Sequence, residues 1–222
     1  MLFALGTPVA FAALVASFLL GLLLRAMAVR LTARSLGLAD RRESIAPRLR
    51  EDIDPFGTVA AAIGGMGWGK ALSVDEISRH RGRGRAAAVF LAGPLTCIIL
   101  GEILIATYGI ACGGNLLAFI GPADVLLGID LPYGQQILLS LGVGLLSFGL
   151  LELIPIPPLD GFGVMYFALR RPGPGMQWMR LWFEDKNVGV VILLLLSLFP
   201  LPGSFLLQIL DALGLVFVRA WG

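Results

Sequence analysis

Histidine is almost missing from this 222-residue chain: there is one, His80. Lysine is nearly as scarce, with only Lys70 and Lys186, and charged residues of all kinds make up 14% of the chain. Soluble domains carry roughly 25% charged residues, so that shortage argues against a water-soluble globule. The two cysteines, Cys97 and Cys112, sit in or beside apolar stretches. They cannot build a disulfide scaffold, and with one histidine they cannot build a Cys/His zinc cluster. The net charge of +2 is too small to point to a nucleic-acid partner. What is abundant is apolar surface, at 57% of residues.

A bilayer core about 30 Å thick takes about 20 apolar residues per helix. Met1 to Leu24 carries no charge and is followed, not preceded, by Arg25, Arg30 and Arg34. A secretory signal has its positive charges in front, so this stretch reads as a retained helix. Further spans are expected over Ala86 to Ile110 and from Leu131 through Glu152. Pro200 and Pro202 divide the last apolar stretch into two shorter helices. The expected architecture is one all-α, membrane-embedded domain over residues 1–222, with spans near 5–29, 86–110, 131–155, 188–200 and 204–219. That is a bundle of about five to six transmembrane helices. The glycine-rich segment GTVAAAIGGMGWG, 57–69, reads as a cytoplasmic or re-entrant loop.

Twelve of the seventeen basic residues lie between Arg25 and Arg85, and Arg170, Arg171, Arg180 and Lys186 form a second group. The positive-inside rule places both groups in the cytoplasm and the amino terminus outside. Trp68, Trp178, Trp182 and Trp221 are then expected in the cytoplasmic headgroup layer. Arg79, Arg81, Arg83 and Arg85 form a collar before the second span, suited to orientation and to contact with anionic lipids. The arginine-heavy, lysine-poor, alanine- and glycine-rich composition suits a GC-rich bacterial genome, and the expected location is the bacterial inner membrane.

Two motifs invite chemistry. Gly64 to Lys70 reads G-x-x-x-x-G-K, but Ala71 stands where a phosphate-binding loop needs Ser or Thr, and no strand precedes it. ELIPIPPLDG, 152–161, ends an apolar helix at three prolines and presents Asp160 beside Gly161. Carboxylates within the bilayer are costly and are usually functional. Asp160 alone could also be a helix cap. Glu152, one turn deeper, is harder to explain so simply. Glu102, inside the second span, is either a buried acid hydrogen-bonded across helices or part of a proton relay with Glu152. The small residues of GLLSFG and of Gly142/Gly144 suit close packing, within the bundle or against a partner.

ELIPIPPLDG resembles the Asn-x-x-Pro-x-Pro-x-Leu-Asp-Gly segment of the site-2 protease family, the intramembrane zinc metalloproteases. LAGPLTC, 91–97, resembles that family's Ala-Gly-Pro helix start, and IDPFGT with GWGK, at 53–58 and 67–70, resembles the loop between them. The resemblance runs from about residue 15 to 215 and implies the family's fold, with Asp160 at the position of the third zinc ligand. It also exposes departures. The family's His-Glu-x-x-His falls on Arg25, Ala26 and Val29; Glu152 replaces the motif asparagine, and Cys97 replaces a polar asparagine. A catalytic zinc needs about three protein ligands and a base for its water. Two ligands and the base are missing, so no catalytic residue, metal or cofactor is expected.

Arg25 then either pairs with Asp160 or Glu152 as a planar fork replacing the zinc charge or snorkels to the headgroups. The favoured function is a catalytically inactive, site-2-protease-like accessory or scaffold subunit that binds transmembrane helices of a larger membrane complex. The alternatives are a protease with non-zinc carboxylate chemistry at Glu152 and Asp160, and a small proton- or ion-conducting protein using Glu102, Glu152, Asp160 and Arg25.

Overall fold

A computed structural model describes residues 1–39, 44–70, 72–77, 82–199 and 203–222. Arg79, His80 and Arg81 of the collar, and Pro200 and Pro202, lie outside the described residues. Among the described residues the regular structure is helical, and the only β pairing is an isolated bridge between Ile53 and Gly69. The order is a 3-10 turn at Leu2–Gly6, α1 (Pro8–Ser35), α2 (Leu49–Asp52), α3 (Pro55–Gly64), α4 (Arg83–Cys112), α5 (Pro122–Leu127), α6 (Tyr133–Glu152), α7 (Asp160–Ala168), α8 (Pro174–Met179), α9 (Val188–Leu198) and α10 (Phe205–Arg219). The turn of α8 continues as a π-helical turn over Arg180–Asp185.

Three helices, α1, α4 and α6, are long and apolar enough to cross a membrane. They pack on one another, and α6 is the central one: 72% of its apolar window is buried, against 44% for α1 and α4. In lipid the hydrophobic effect does not press helices together; close backbone approach through small residues does. That approach is visible here. A Cβ placed on Gly101 of α4 would lie 2.6 Å from the Leu146 backbone nitrogen of α6, and one on Gly149 of α6 would lie 2.6 Å from the Pro94 carbonyl oxygen. Gly144 closes on Ser17 of α1, and Gly21 of α1 closes on the Phe148 ring. The small faces of GLLSFG and Gly142/Gly144 are therefore spent inside the bundle.

The glycine-rich segment folds back on itself. Asp54 starts α3, its Oδ1 accepting from the Phe56 and Gly57 amides at 2.7 and 3.1 Å, and Pro55 occupies the first turn, where no amide hydrogen is needed. Gly65 ends the helix with φ +93°, a left-handed conformation that favours glycine. The chain then returns along α3, with Gly57 and Gly67 letting the two strokes touch. Its tip reaches the first residues, where the Met1 nitrogen donates to the Ala61 carbonyl at 3.1 Å. Trp68, on the return stroke, is fully buried, so its ring is covered by protein and not by lipid headgroups, contrary to the expectation from sequence.

α9 and α10 run in series. α9 starts beside Pro157, just past the end of α6, and Ser197 near its far end meets Ala60 and Gly64. α10 finishes with Trp221 against Gly109 and Gly114, at the end of α4 remote from Arg83. Trp221 therefore stands at the opposite end of the bundle from the basic segments, contrary to the expectation from sequence. The Trp221 indole nitrogen donates to Glu102 Oε2 at 3.0 Å.

Candidate functional site

Arg25 lies about 26 Å along α1 from Pro8 and about 15 Å from Ser35, at 1.5 Å per residue. Its side chain is 8% exposed and turns inward, not toward the helix end. Nε donates to Asp160 Oδ2 at 2.7 Å and Nη2 to Asp160 Oδ1 at 2.6 Å, a two-pronged grip on one carboxylate. Nη1 donates to the Lys70 carbonyl at 2.9 Å, and Nε stands 3.5 Å from Glu152 Oε2. Glu152 accepts from the Gly69 amide at 3.1 Å and from the Asp160 amide at 3.5 Å. One guanidinium thus joins α1, the end of α6, the start of α7 and the return stroke after α3.

Local sequence makes room for this. Gly93 lies where the stem of Arg25 crosses α4: a Cβ there would sit 2.6 Å from Arg25 Cγ. Gly69 clears the other side, since a Cβ there would sit 3.0 Å from Arg25 Nη1. The three prolines at 155, 157 and 158 end α6 after Glu152 and turn the chain so that Asp160, eight residues on, opens α7 at the same level. Both carboxylates are essentially unexposed, at 1% for Glu152 and 0% for Asp160. Buried ions at that depth must be paired and hydrogen-bonded, and the contacts among Arg25, Asp160, Glu152, Gly69 and Lys70 serve that end.

Arg25, Glu152 and Asp160 are thus brought together. Ala26 and Val29 stand beside them, lining with Arg25, Arg30, Asp52 and Lys70 a cavity of about 600 Å³. Cys97 is buried one turn past Gly93, its thiol donating to the Gly21 carbonyl at 3.6 Å. Glu102 is not part of the cluster: it lies nine residues past Gly93, about 13 Å along α4, and is held by Trp221. Its Oε1 is buried with no hydrogen-bond partner among the described residues.

The G-x-x-x-x-G-K segment is no phosphate cradle. The Gly69 amide is spent on Glu152 and the Lys70 amide on the Asp52 carbonyl.

Sequence reasoning misses the main-chain partners at Gly69 and Lys70, because a backbone amide carries no residue-type signal. It also misses the ion pair of Arg30 with Asp52 that closes one wall of the cavity. The alternation of Arg30 with Asp52 across 22 residues offers no pattern to find it by.

The donor set does not fit a zinc ion. A catalytic zinc takes about three nitrogen, sulfur or oxygen ligands with one open position. Among the described residues no three His, Cys, Asp or Glu side chains converge. Both oxygens of Asp160 already accept from a guanidinium, which stands where a cation would have to sit.

The chain is 28% identical over 171 residues to a Bacillus subtilis (strain 168) protein named "Putative zinc metalloprotease YwhC", an alignment spanning 72% of this chain and 67% of that protein. That relative agrees with the family that the four sequence segments resemble. No family model matches the chain, and no solved structure matches it. The three long apolar helices and the bacterial relative together point to a bacterial membrane protein similar, over most of its length, to one named as a zinc metalloprotease.

Proposed function

We propose that this chain is a catalytically silent relative of the site-2 proteases that serves as an accessory or scaffold subunit, binding transmembrane helices of a larger complex in the bacterial inner membrane. The observation that carries the reading is the Arg25 fork on Asp160. At the position where the family resemblance puts a metal ligand, a permanently charged guanidinium supplies the cation instead. Ala26 stands at the position of the general base and offers only a methyl group, so nothing there can take a proton from water. The bundle keeps the shape while its polar centre has become a structural tie.

The glycine faces of α4 and α6 are used internally, so a partner helix would meet the outer apolar faces. On α4 these carry Ile99 and Ile103, both more than half exposed. In this reading the basic ends of α1 and α4 face the cytoplasm and the Pro8 end of α1 lies outside. α9 and α10 together make one interrupted crossing, giving four crossings with the α3 hairpin entering from the basic side. Arg83 and Arg85, with Arg79 and Arg81, meet anionic lipid.

A carboxylate-pair hydrolase has weaker support, because Asp160 is gripped on both oxygens and neither acid is free to hold a water. A proton pathway through Glu102 and Glu152 would have to bridge the separation along α4 described above.

The test is purification of the full chain from its native membrane in mild detergent, with metal analysis and identification of companions. Sub-stoichiometric zinc, no cleavage of helical membrane substrates and stable co-purifying membrane subunits are expected. One zinc per chain, lost on Asp160→Ala, would overturn the reading. A chain that runs alone would overturn its scaffold half.

A further inference from the structure

The helical segment from Pro174 to Asp185 has two unlike faces. Met176 and Met179 pack against a cluster formed by Val74, Ile77, Phe90 and Phe162. The other face shows Trp178, Leu181 and Trp182 at 55%, 49% and 40% exposure, spaced i, i+3 and i+4 so that they form one stripe. The Trp178 and Trp182 rings stand 6.0 Å apart, and Lys186 Nζ sits 4.2 Å from the centre of the Trp182 ring. Among the described residues, nothing covers the outer side of this stripe.

Charge and position identify what does. Residues 168–187 hold four basic and two acidic side chains, a net of 4 − 2 = +2. Arg180 is tied down by Asp75 at 2.5 Å, while Arg171 and Lys186 are exposed. Arg83 Nη1 donates to the Ala168 carbonyl at 3.5 Å, which joins the basic start of α4 to this segment in one rim. Two residues beyond Lys186 the chain enters α9, whose eleven residues are all apolar apart from Ser197 and Gly189. A stripe of tryptophan and leucine beside a basic rim, at the mouth of an apolar helix, matches the headgroup layer of an anionic bilayer. Indole rings lodge there, with lysine and arginine beside lipid phosphates.

We infer that residues 174–186 form an interfacial anchor that seats Trp178, Leu181 and Trp182 between the lipids of an anionic leaflet, with Arg171 and Lys186 binding their phosphates. This needs the chain to be embedded in a membrane but is independent of whether it has lost its metal chemistry.

The full chain is reconstituted in vesicles of equal parts phosphatidylglycerol and phosphatidylcholine brominated at either a shallow or a deep acyl position. Tryptophan emission should be quenched more by shallow than by deep bromine, and in a Trp221→Phe background Trp178→Phe/Trp182→Phe should remove most of that shallow component. The double variant quenched like the parent, or stronger quenching by deep bromine, would overturn the anchor. Independently, Arg171→Ala/Lys186→Ala should lower the enrichment of phosphatidylglycerol over phosphatidylcholine around the protein by about fivefold per charge removed, the equivalent of ~1 kcal/mol each. Unchanged enrichment would overturn the phosphate contacts. Because substitution could disturb the fold, a fluorophore on Leu181→Cys in a Cys112→Ser background gives a separate reading. A blue-shifted, bromine-quenched emission supports the seat, and a water-like one rejects it.

Discussion

Arg25 decides the character of the polar centre. Removing it leaves two carboxylates without a cation in a water-poor interior, so Arg25→Ala should destabilise the bundle by about 3–5 kcal/mol, read as a lowered thermal midpoint in detergent. Arg25→Lys should recover little of this, because an ammonium cannot span both oxygens of Asp160 and the Lys70 carbonyl together. Gly93 gives a sharper check. Gly93→Ala should cost about 1–3 kcal/mol through its push on the Arg25 stem. In an Arg25→Ala background that cost should shrink, because the 2.6 Å contact with Cγ is gone and only the 3.3 Å contacts with Cα and Cβ remain, a coupling a double-mutant cycle measures. At this scale the chain is unusually readable: a charge inside an apolar stretch stands out, and Arg25, Glu152 and Asp160 all do. Which of them meet is less readable, since both Lys70 and Gly69 act through backbone atoms.

The helices are held by contacts whose sign can be tested glycine by glycine. Gly101→Val would drive a side chain into the Leu146 backbone and should cost about 3 kcal/mol or more. Gly84→Ala, also within α4 but with nothing within 4 Å of its added carbon, should instead stabilise by up to about 1 kcal/mol, the ordinary helix preference. Thermal unfolding of the two variants side by side checks both. The long spans α1, α4 and α6 follow from apolar length alone. The hairpin of α3 is harder to read: its small residues show that the chain can fold tightly, while the capping of α3 by Asp54 and the burial of Trp68 depend on what packs against them.

For the whole molecule, the direction of the last two helices is the part that composition could not supply. Length and the prolines mark a break after Phe199, but whether the chain doubles back or carries on is settled by tertiary contact, here Trp221 with Gly109 and Glu102. An impermeant thiol reagent should therefore reach Cys112 and, in a Cys112→Ser chain, Trp221→Cys from the same membrane face. Arg171→Cys should react only from the other face. Labelling of positions 171 and 221 from one side would disprove the series arrangement.

The tie between Arg25 and Asp160 spans 135 positions of sequence. Synthesis at about 5–20 residues per second puts roughly 7–27 s between the emergence of donor and acceptor. During that interval the nascent first helix holds an unpaired guanidinium toward its basic end, at a cost below the bilayer-centre figure of about 2.5–3.5 kcal/mol, so it must wait near the aqueous edge or against the insertion machinery. Biogenesis of this protein is therefore a matter of timing, with its N-terminal helix settling to full depth only once α7 has been delivered.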